Sequence, residues 1–110
     1  MRFGPWYPLA EAGDRAPAAP GVYQVRLAHG LHDYPRGKSA MVWYEHAPDV
    51  RAAALRFAGA HPTNDLVCRH LIESDTGVDP LDLCAKLRAE FVRRFGAPPL
   101  FETTTTITTR

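Results

Sequence analysis

Histidine and cysteine side chains are the first residues in this sequence whose chemistry would suggest a metal site or a nucleophile. His29, His32 and Asp33 are close together, but a bare His-x-x-His in a turn-rich segment, without a cysteine pair, is not a zinc motif. Cys68 and Cys84 are far apart in the chain, and no third group identifies either thiol as a nucleophile. The pattern favours two buried thiols, and we expect no resident metal or cofactor.

Basic and aromatic side chains are the larger source of candidate binding chemistry. Seven basic residues could form a phosphate-binding patch: Arg51, Arg56, Arg69, Lys86, Arg88, Arg93 and Arg94. However, 13 Lys and Arg residues against 12 Asp and Glu residues give a net charge of +1, which creates no general field to attract a polyanion. Any nucleic-acid contact would therefore need a local patch. An exposed Trp43 or Tyr44 would instead be a natural anchor for a protein partner, because aromatic residues dominate interface hot spots.

Three predicted strands must position these residues. Residues 21–27 and 40–45 are rich in β-branched and aromatic side chains, and the turn-rich segment 28–39 connects them. We expect these two strands to pair antiparallel as a hairpin. Residues 65–73 predict a third strand. The fold class is therefore α+β, with a small three-stranded mixed or antiparallel sheet and flanking helices.

Two predicted helices follow the hairpin and the third strand. Pro48 and Asp49 suit a first helical turn, and Asp79 followed by Pro80 is a good N-cap and first position. Gly96 is expected to end the second helix. The apolar stripe of that helix comprises Leu81, Cys84, Leu87, Phe91 and Phe95. The first twenty residues contain four prolines and predict extended or turn-like structure with a short helix at 9–15.

Length and composition indicate one domain over residues 1–102, followed by a low-complexity tail at 103–110. The first residues lack the apolar core of a signal peptide, and no apolar run reaches the roughly 18 residues of a membrane span. We therefore expect a cytoplasmic protein with no membrane contact and two free thiols in a reducing compartment. The bias toward Ala, Arg, Pro and Gly suggests a GC-rich bacterial genome.

Four short motifs, in this order, resemble the GIY-YIG nuclease family across roughly residues 17–101. ProGlyValTyr at 20–23 is similar to the first strand of the family, and TyrProArgGlyLysSer at 34–39 looks like its longer hairpin connection. AspValArg at 49–51 and PheValArgArgPheGly at 91–96 resemble the start of the first helix and the end of the last conserved helix. The resemblance implies the same strand–strand–helix arrangement.

The resemblance also implies where a nuclease site would lie. In that family two tyrosines, an arginine and a glutamate surround a water and one divalent metal. Tyr23 matches the first tyrosine, whereas five family positions carry other chemistry. The second tyrosine falls on Trp43, the motif glycine on Glu45, the arginine on Ala53 and the metal glutamate near Cys84. Phe57 stands where members have a tyrosine or histidine. A carboxylate repels phosphate, and a thiol is a poor ligand for Mg²⁺.

Two hypotheses follow for the function. The first is a catalytically inactive GIY-YIG-like domain that binds a protein or a nucleic acid through Trp43, Glu45, Arg56 and Arg88, without a cofactor. The second is an active Mg²⁺-dependent DNA endonuclease with a displaced site, comprising Tyr23, Tyr44, Arg51 and either Glu73 or Glu90. The missing arginine and glutamate favour the first hypothesis. The sequence does not indicate an oligomeric state.

Overall fold

The computed structural model describes residues 1–62, 65–73 and 77–102, so the predicted tail at 103–110 lies outside the described residues. Its elements are strands and helices, most of them short. In chain order they are β1 (Arg2–Phe3), β2 (Tyr7–Pro8), a 3₁₀ turn (Leu9–Glu11), α1 (Ala12–Arg15), β3 (Gly21–Leu27), β4 (His32–Tyr34), β5 (Gly37–Ser39), β6 (Met41–Ala47), α2 (Val50–Ala60), β7 (Leu66–Glu73) and α3 (Pro80–Phe95).

The central strand of the sheet is β3. It pairs antiparallel with β6 on one side and with β7 on the other, and β1 and β2 both pair antiparallel with β7 at the far edge. Tyr23 stands opposite Glu45 on β6 and opposite His70 on β7. The predicted α+β class, its three long strands and their flanking helices are confirmed.

Two features of the strand arrangement were not predicted. Segment 28–39 contains the hairpin of β4 and β5, which is separate from the main sheet, and the N-terminal segment contributes β1 and β2 to the main sheet. These strands have two or three residues each, too few for an alternating pattern to be visible. Tyr34 on β4 is buried against Phe91 and Phe95, and its hydroxyl donates to the Met41 carbonyl at 2.6 Å.

Alternation along β3 divides the core into two layers. Tyr23 and Val25 pack on the side that α2 covers, together with Ala53 and Phe57. Val22 packs on the side that α3 covers. The core on this second side also contains Tyr34, Tyr44, Cys84 and Phe91. No helix in the described ranges is both long enough and apolar enough to span a membrane.

The capping residues predicted for α2 and α3 form caps in the structure. The Asp49 carboxylate accepts from the Ala52 N–H, and the Asp79 carboxylate accepts from the Leu81 N–H. Gly96 adopts the left-handed conformation, with φ of 79°, at the end of α3.

The predicted apolar stripe on α3 was wrong at one position. Leu81 is 57% exposed, whereas Leu83 is buried. At about 100° per residue, these two leucines lie on opposite flanks of the stripe. The rotation of the helix on the sheet therefore decides which of them is covered, and a single-helix pattern does not contain that information.

Replacing Phe91 with alanine should destabilise the protein by about 3–5 kcal/mol, because a fully buried phenyl ring leaves a cavity. Phe91 is 4% exposed and contacts Tyr34 and Tyr44. The matched control is Leu81→Ala on the same helix, which should change the free energy of unfolding by about 0.5 kcal/mol or less. Urea denaturation of both variants checks this. Equal midpoints for the two variants would contradict the packing of α3.

Candidate functional site

Three polar groups from β3 and β6 meet on the α2 side of the sheet. The Tyr23 hydroxyl donates to Glu45 Oε1 at 2.5 Å. Trp43 Nε1 lies 3.2 Å from the same carboxylate oxygen and 3.3 Å from the Tyr23 oxygen. The register produces this network, because Tyr23 stands directly opposite Glu45 and Trp43 lies two residues earlier on the same face.

A cleft of about 240 Å³ opens beside this network, between the sheet, α2 and the chain after α3. We refer to it as the α2 cleft. Its walls are largely aromatic and consist of Trp43, Phe57, His61 and Phe101. The Phe57 and His61 rings stack with centroids 4.3 Å apart, and His61 and Phe101 are 4.2 Å apart. Such a cleft would receive an apolar side chain.

Glu45 and Arg56 are the charged residues that line the α2 cleft. Ala53, which the sequence resemblance would align with an arginine, is 2% exposed and forms part of the cleft. Arg56 lies three residues further along α2 and is exposed. Within the described ranges its guanidinium forms no hydrogen bond or ion pair. Arg56 is therefore a cation at the cleft that is available to a ligand.

The surroundings of Tyr23 keep its hydroxyl protonated. Burial raises the pKa of Tyr23 far above its ordinary range, and the hydrogen bond to Glu45 and the charge of Glu45 raise it further. The Trp43 hydrogen bond and the Arg56 charge act in the opposite direction but have smaller effects. A neutral phenol is a very weak base, so Tyr23 in this state is poorly suited to take a proton from an attacking water.

The remaining predicted site residues lie outside the α2 cleft. Tyr44 packs on the α3 side of the sheet, with its ring centroid 5.9 Å from that of Phe91. Arg51 Nε donates to the Ala16 carbonyl at 2.8 Å. Arg88 Nη2 donates to the Tyr44 carbonyl at 2.6 Å. Arg51 and Arg88 therefore satisfy backbone carbonyls, and Arg88 covers a carbonyl of the edge strand β6.

The carboxylates considered for a displaced nuclease site are also engaged elsewhere. Glu73 pairs with Arg2 at 2.9 Å, and Glu90 pairs with Arg93 on the exposed face of α3. Cys84 is buried in the α3-side core, where burial raises the pKa of its thiol. In the part of the chain that the structure describes, no three His, Cys, Asp or Glu side chains are grouped closely enough to hold a metal ion.

Two cleft residues were not found from the sequence. His61 follows Phe57 by four residues, so the helical period places both on one face, and this signal could have identified His61. Phe101 follows the predicted end of the last helix, and nothing local indicates that it returns to α2. Comparisons with family models, curated proteins and solved structures gave no match to this chain.

Alkaline titration should find no tyrosine that ionises in its ordinary range while the protein stays folded. Burial raises the pKa of all four tyrosines, that of Tyr44 to about 12. Since unfolded tyrosines ionise near pH ~10, the free energy of unfolding should be unaffected by them below that pH and should fall above it. Phenolate absorbance should therefore appear together with the loss of circular dichroism.

The Tyr23→Phe variant is the control for this titration. A native-state phenolate that forms near pH ~10 in the parent protein and disappears in Tyr23→Phe would contradict the protonated hydrogen bond to Glu45.

Proposed function

We propose that this chain is a cytoplasmic GIY-YIG-like domain that does not cleave phosphodiesters and serves as a binding module through the α2 cleft. One observation carries the proposal: the Tyr23 hydroxyl donates to the carboxylate of Glu45 at 2.5 Å. In the family that the sequence resembles, that tyrosine activates the attacking oxygen, and a glycine stands at the position of Glu45.

Charge at the cleft is unfavourable for phosphodiester cleavage. The reaction needs a positioned attacking oxygen and positive charge around the phosphate. Here Glu45 supplies negative charge beside Tyr23, and Ala53 supplies none at the position of the family's arginine. Arg56 is exposed at the cleft and supplies one positive charge. A phosphate that approached Tyr23 would therefore meet the Glu45 carboxylate at close range.

The same cleft suits a protein partner better than a nucleic acid. Its volume of about 240 Å³ is below the roughly 300–1,000 Å³ of typical small-molecule pockets, so a single side chain fits it better. Aromatic walls would bury an apolar group, and Arg56 would pair with a neighbouring carboxylate. The proposed ligand is thus a peptide segment with an apolar side chain next to an acidic group.

Purified protein should leave supercoiled, linear and branched DNA intact, and RNA as well, in the presence of Mg²⁺ or Mn²⁺. Loss of one such electrostatic group typically reduces the rate by about 10²–10³, and losses within one site are not independent. Gel analysis of the products after long incubation checks this. Cleavage that Tyr23→Phe abolishes would instead support the active endonuclease hypothesis.

Peptide selection tests the cleft as a binding site. A random peptide library displayed on phage should yield sequences that bind the parent protein and lose most of their affinity for Ala60→Trp. Ala60 is exposed and lines the cleft, so a tryptophan there obstructs it without disturbing the core. Ala85→Trp, at an exposed position on α3, is the matched control and should bind normally. Selected peptides that bind both variants equally would contradict the α2 cleft as the site.

A further inference from the structure

Two aromatic rings and two arginines alternate in a stack on the α3 side of the sheet. The Arg69 guanidinium carbon lies 4.8 Å from the centroid of Phe3 and 4.5 Å from the centroid of Trp6. The Arg26 guanidinium carbon lies 4.1 Å from the same Trp6 ring. The order is therefore Phe3, Arg69, Trp6, Arg26, and we refer to these four residues as the arginine–aromatic stack.

The strand register brings the two arginines together. Arg69 on β7 stands opposite Gln24 on β3, and Arg26 follows two residues later on the same face of β3. Arg69 Nε donates to Gln24 Oε1 at 2.7 Å, and Gln24 is 3% exposed. Trp6 directly precedes β2, and the pairing of β2 with β7 brings Trp6 to this face of the sheet. Main-chain pairing thus fixes each member of the stack.

The stack carries two positive charges, which are not paired with a carboxylate from the described residues. Among residues 1–62, 65–73 and 77–102, neither Arg26 nor Arg69 forms an ion pair. Burial lowers the pKa of Arg69, and the nearby charge of Arg26 lowers it further. Contacts with Trp6 and Phe3 offset part of this repulsion. A bound anion would offset the repulsion that remains between the two guanidinium groups, so the geometry favours an anionic ligand.

The unused donors of the stack suit phosphate. Apart from the Arg69 Nε bond to Gln24, the guanidinium nitrogens of both arginines donate no hydrogen bond within the described ranges. Both side chains are partly exposed. A guanidinium is a planar fork that binds phosphate oxygens in pairs. Arg26 is the last member of the stack and is partly exposed, so its planar guanidinium offers a surface on which a flat group can stack.

We infer that the arginine–aromatic stack binds single-stranded nucleic acid, with backbone phosphates on the two guanidinium groups and a base stacked on the partly exposed Arg26. Single-stranded nucleic acid offers both an anion and a flat ring within one nucleotide, and bases stack on arginine planes as they do on aromatic rings. An acidic peptide offers the charge alone. The site is on the opposite face from the α2 cleft and is independent of the proposal made for that cleft.

Fluorescence anisotropy with a labelled oligothymidylate, at low and at moderate salt, tests the inference. The parent protein should bind, and Arg26→Gln should weaken binding by about tenfold or more, because it removes a charge-assisted contact. The salt slope should fall by about 0.7 for each phosphate contact that is lost. Arg26→Lys keeps the charge but loses the planar fork and the stacking surface, so its affinity should be intermediate.

Arg15→Gln is the matched control and should bind like the parent. Arg15 also lies over an aromatic ring, at 4.7 Å from the Tyr7 centroid, but it is paired with Glu11. Urea denaturation should show that the variants are folded. A second variant, Arg69→Gln, should also weaken binding, but it loses the hydrogen bond to Gln24 and could unfold. Arg26→Gln then remains a valid test, since Arg26 makes no such bond to the described residues.

Three outcomes would overturn the inference. The first is no binding of the oligonucleotide at low salt. The second is an equal loss of affinity in Arg26→Gln and Arg15→Gln, which would indicate a general charge effect. The third is equally tight binding of a labelled polyglutamate of the same charge, which would assign the stack to an acidic protein partner.

Discussion

The antiparallel pairing of β3 with both of its neighbours is the constraint on which the rest of the structure depends. Tyr23 stands opposite Glu45 on one side and opposite His70 on the other, and the next residue, Gln24, stands opposite Arg69. Because successive side chains point to opposite faces, a slip of one residue would exchange the two sets. It would carry Glu45 to the α3 side and Arg69 beneath α2. The cleft and the stack therefore depend on the same register.

The substitutions at the resembled motif are chemically coupled. A carboxylate beside a buried phenol is costly unless donors satisfy it. Tyr23 donates to Glu45 from the neighbouring strand, and Trp43 Nε1 is the second donor, at 3.2 Å from the same oxygen. A tyrosine at position 43 would not place an indole N–H there. Trp43 and Glu45 thus form one polar unit with Tyr23, which explains how a carboxylate is tolerated where the resemblance has a glycine.

The sequence predicted the elements that have strong local signals. The long strands β3, β6 and β7 follow from β-branched and aromatic runs, and the helix starts follow from the Asp49 and Asp79 caps. The short strands β1, β2, β4 and β5 have too few residues to show a period. β1 and β2 are formed by pairing with the distant β7, which no local pattern encodes, whereas β4 and β5 pair with each other across a tight turn.

The residues of the candidate sites were also only partly predictable from the sequence. Tyr23, Trp43 and Glu45 could be placed together from strand alternation and a motif resemblance, and Arg56 from its position near Ala53 on a helix. Phe101 and the arginine–aromatic stack could not, because each needs a contact between segments far apart in sequence. The stack joins Trp6 to Arg69 across most of the chain, and Trp6 lies in a proline-rich segment without periodicity.

That N-terminal segment links the two faces of the sheet. Trp6 and Tyr7 are consecutive, so they point to opposite sides of β7. Tyr7 is buried on the α2 side, where its hydroxyl lies 3.1 Å from His70 Nδ1, while Trp6 lies against Arg26 and Arg69 on the α3 side. The pairing of β2 with β7 therefore fixes both residues at once.

This arrangement explains how a chain with a net charge of +1 can offer two different surfaces. Alternation along the strands places the Glu45 carboxylate on one face and the Arg26 and Arg69 guanidinium groups on the other. Screening limits the effect of each charge to about 8–10 Å at moderate salt, so a ligand responds to the nearby face more than to the net charge. A near-neutral composition therefore excludes a broad polyanion-binding field without excluding a local one. In this fold the sign of the surface charge is set by strand register.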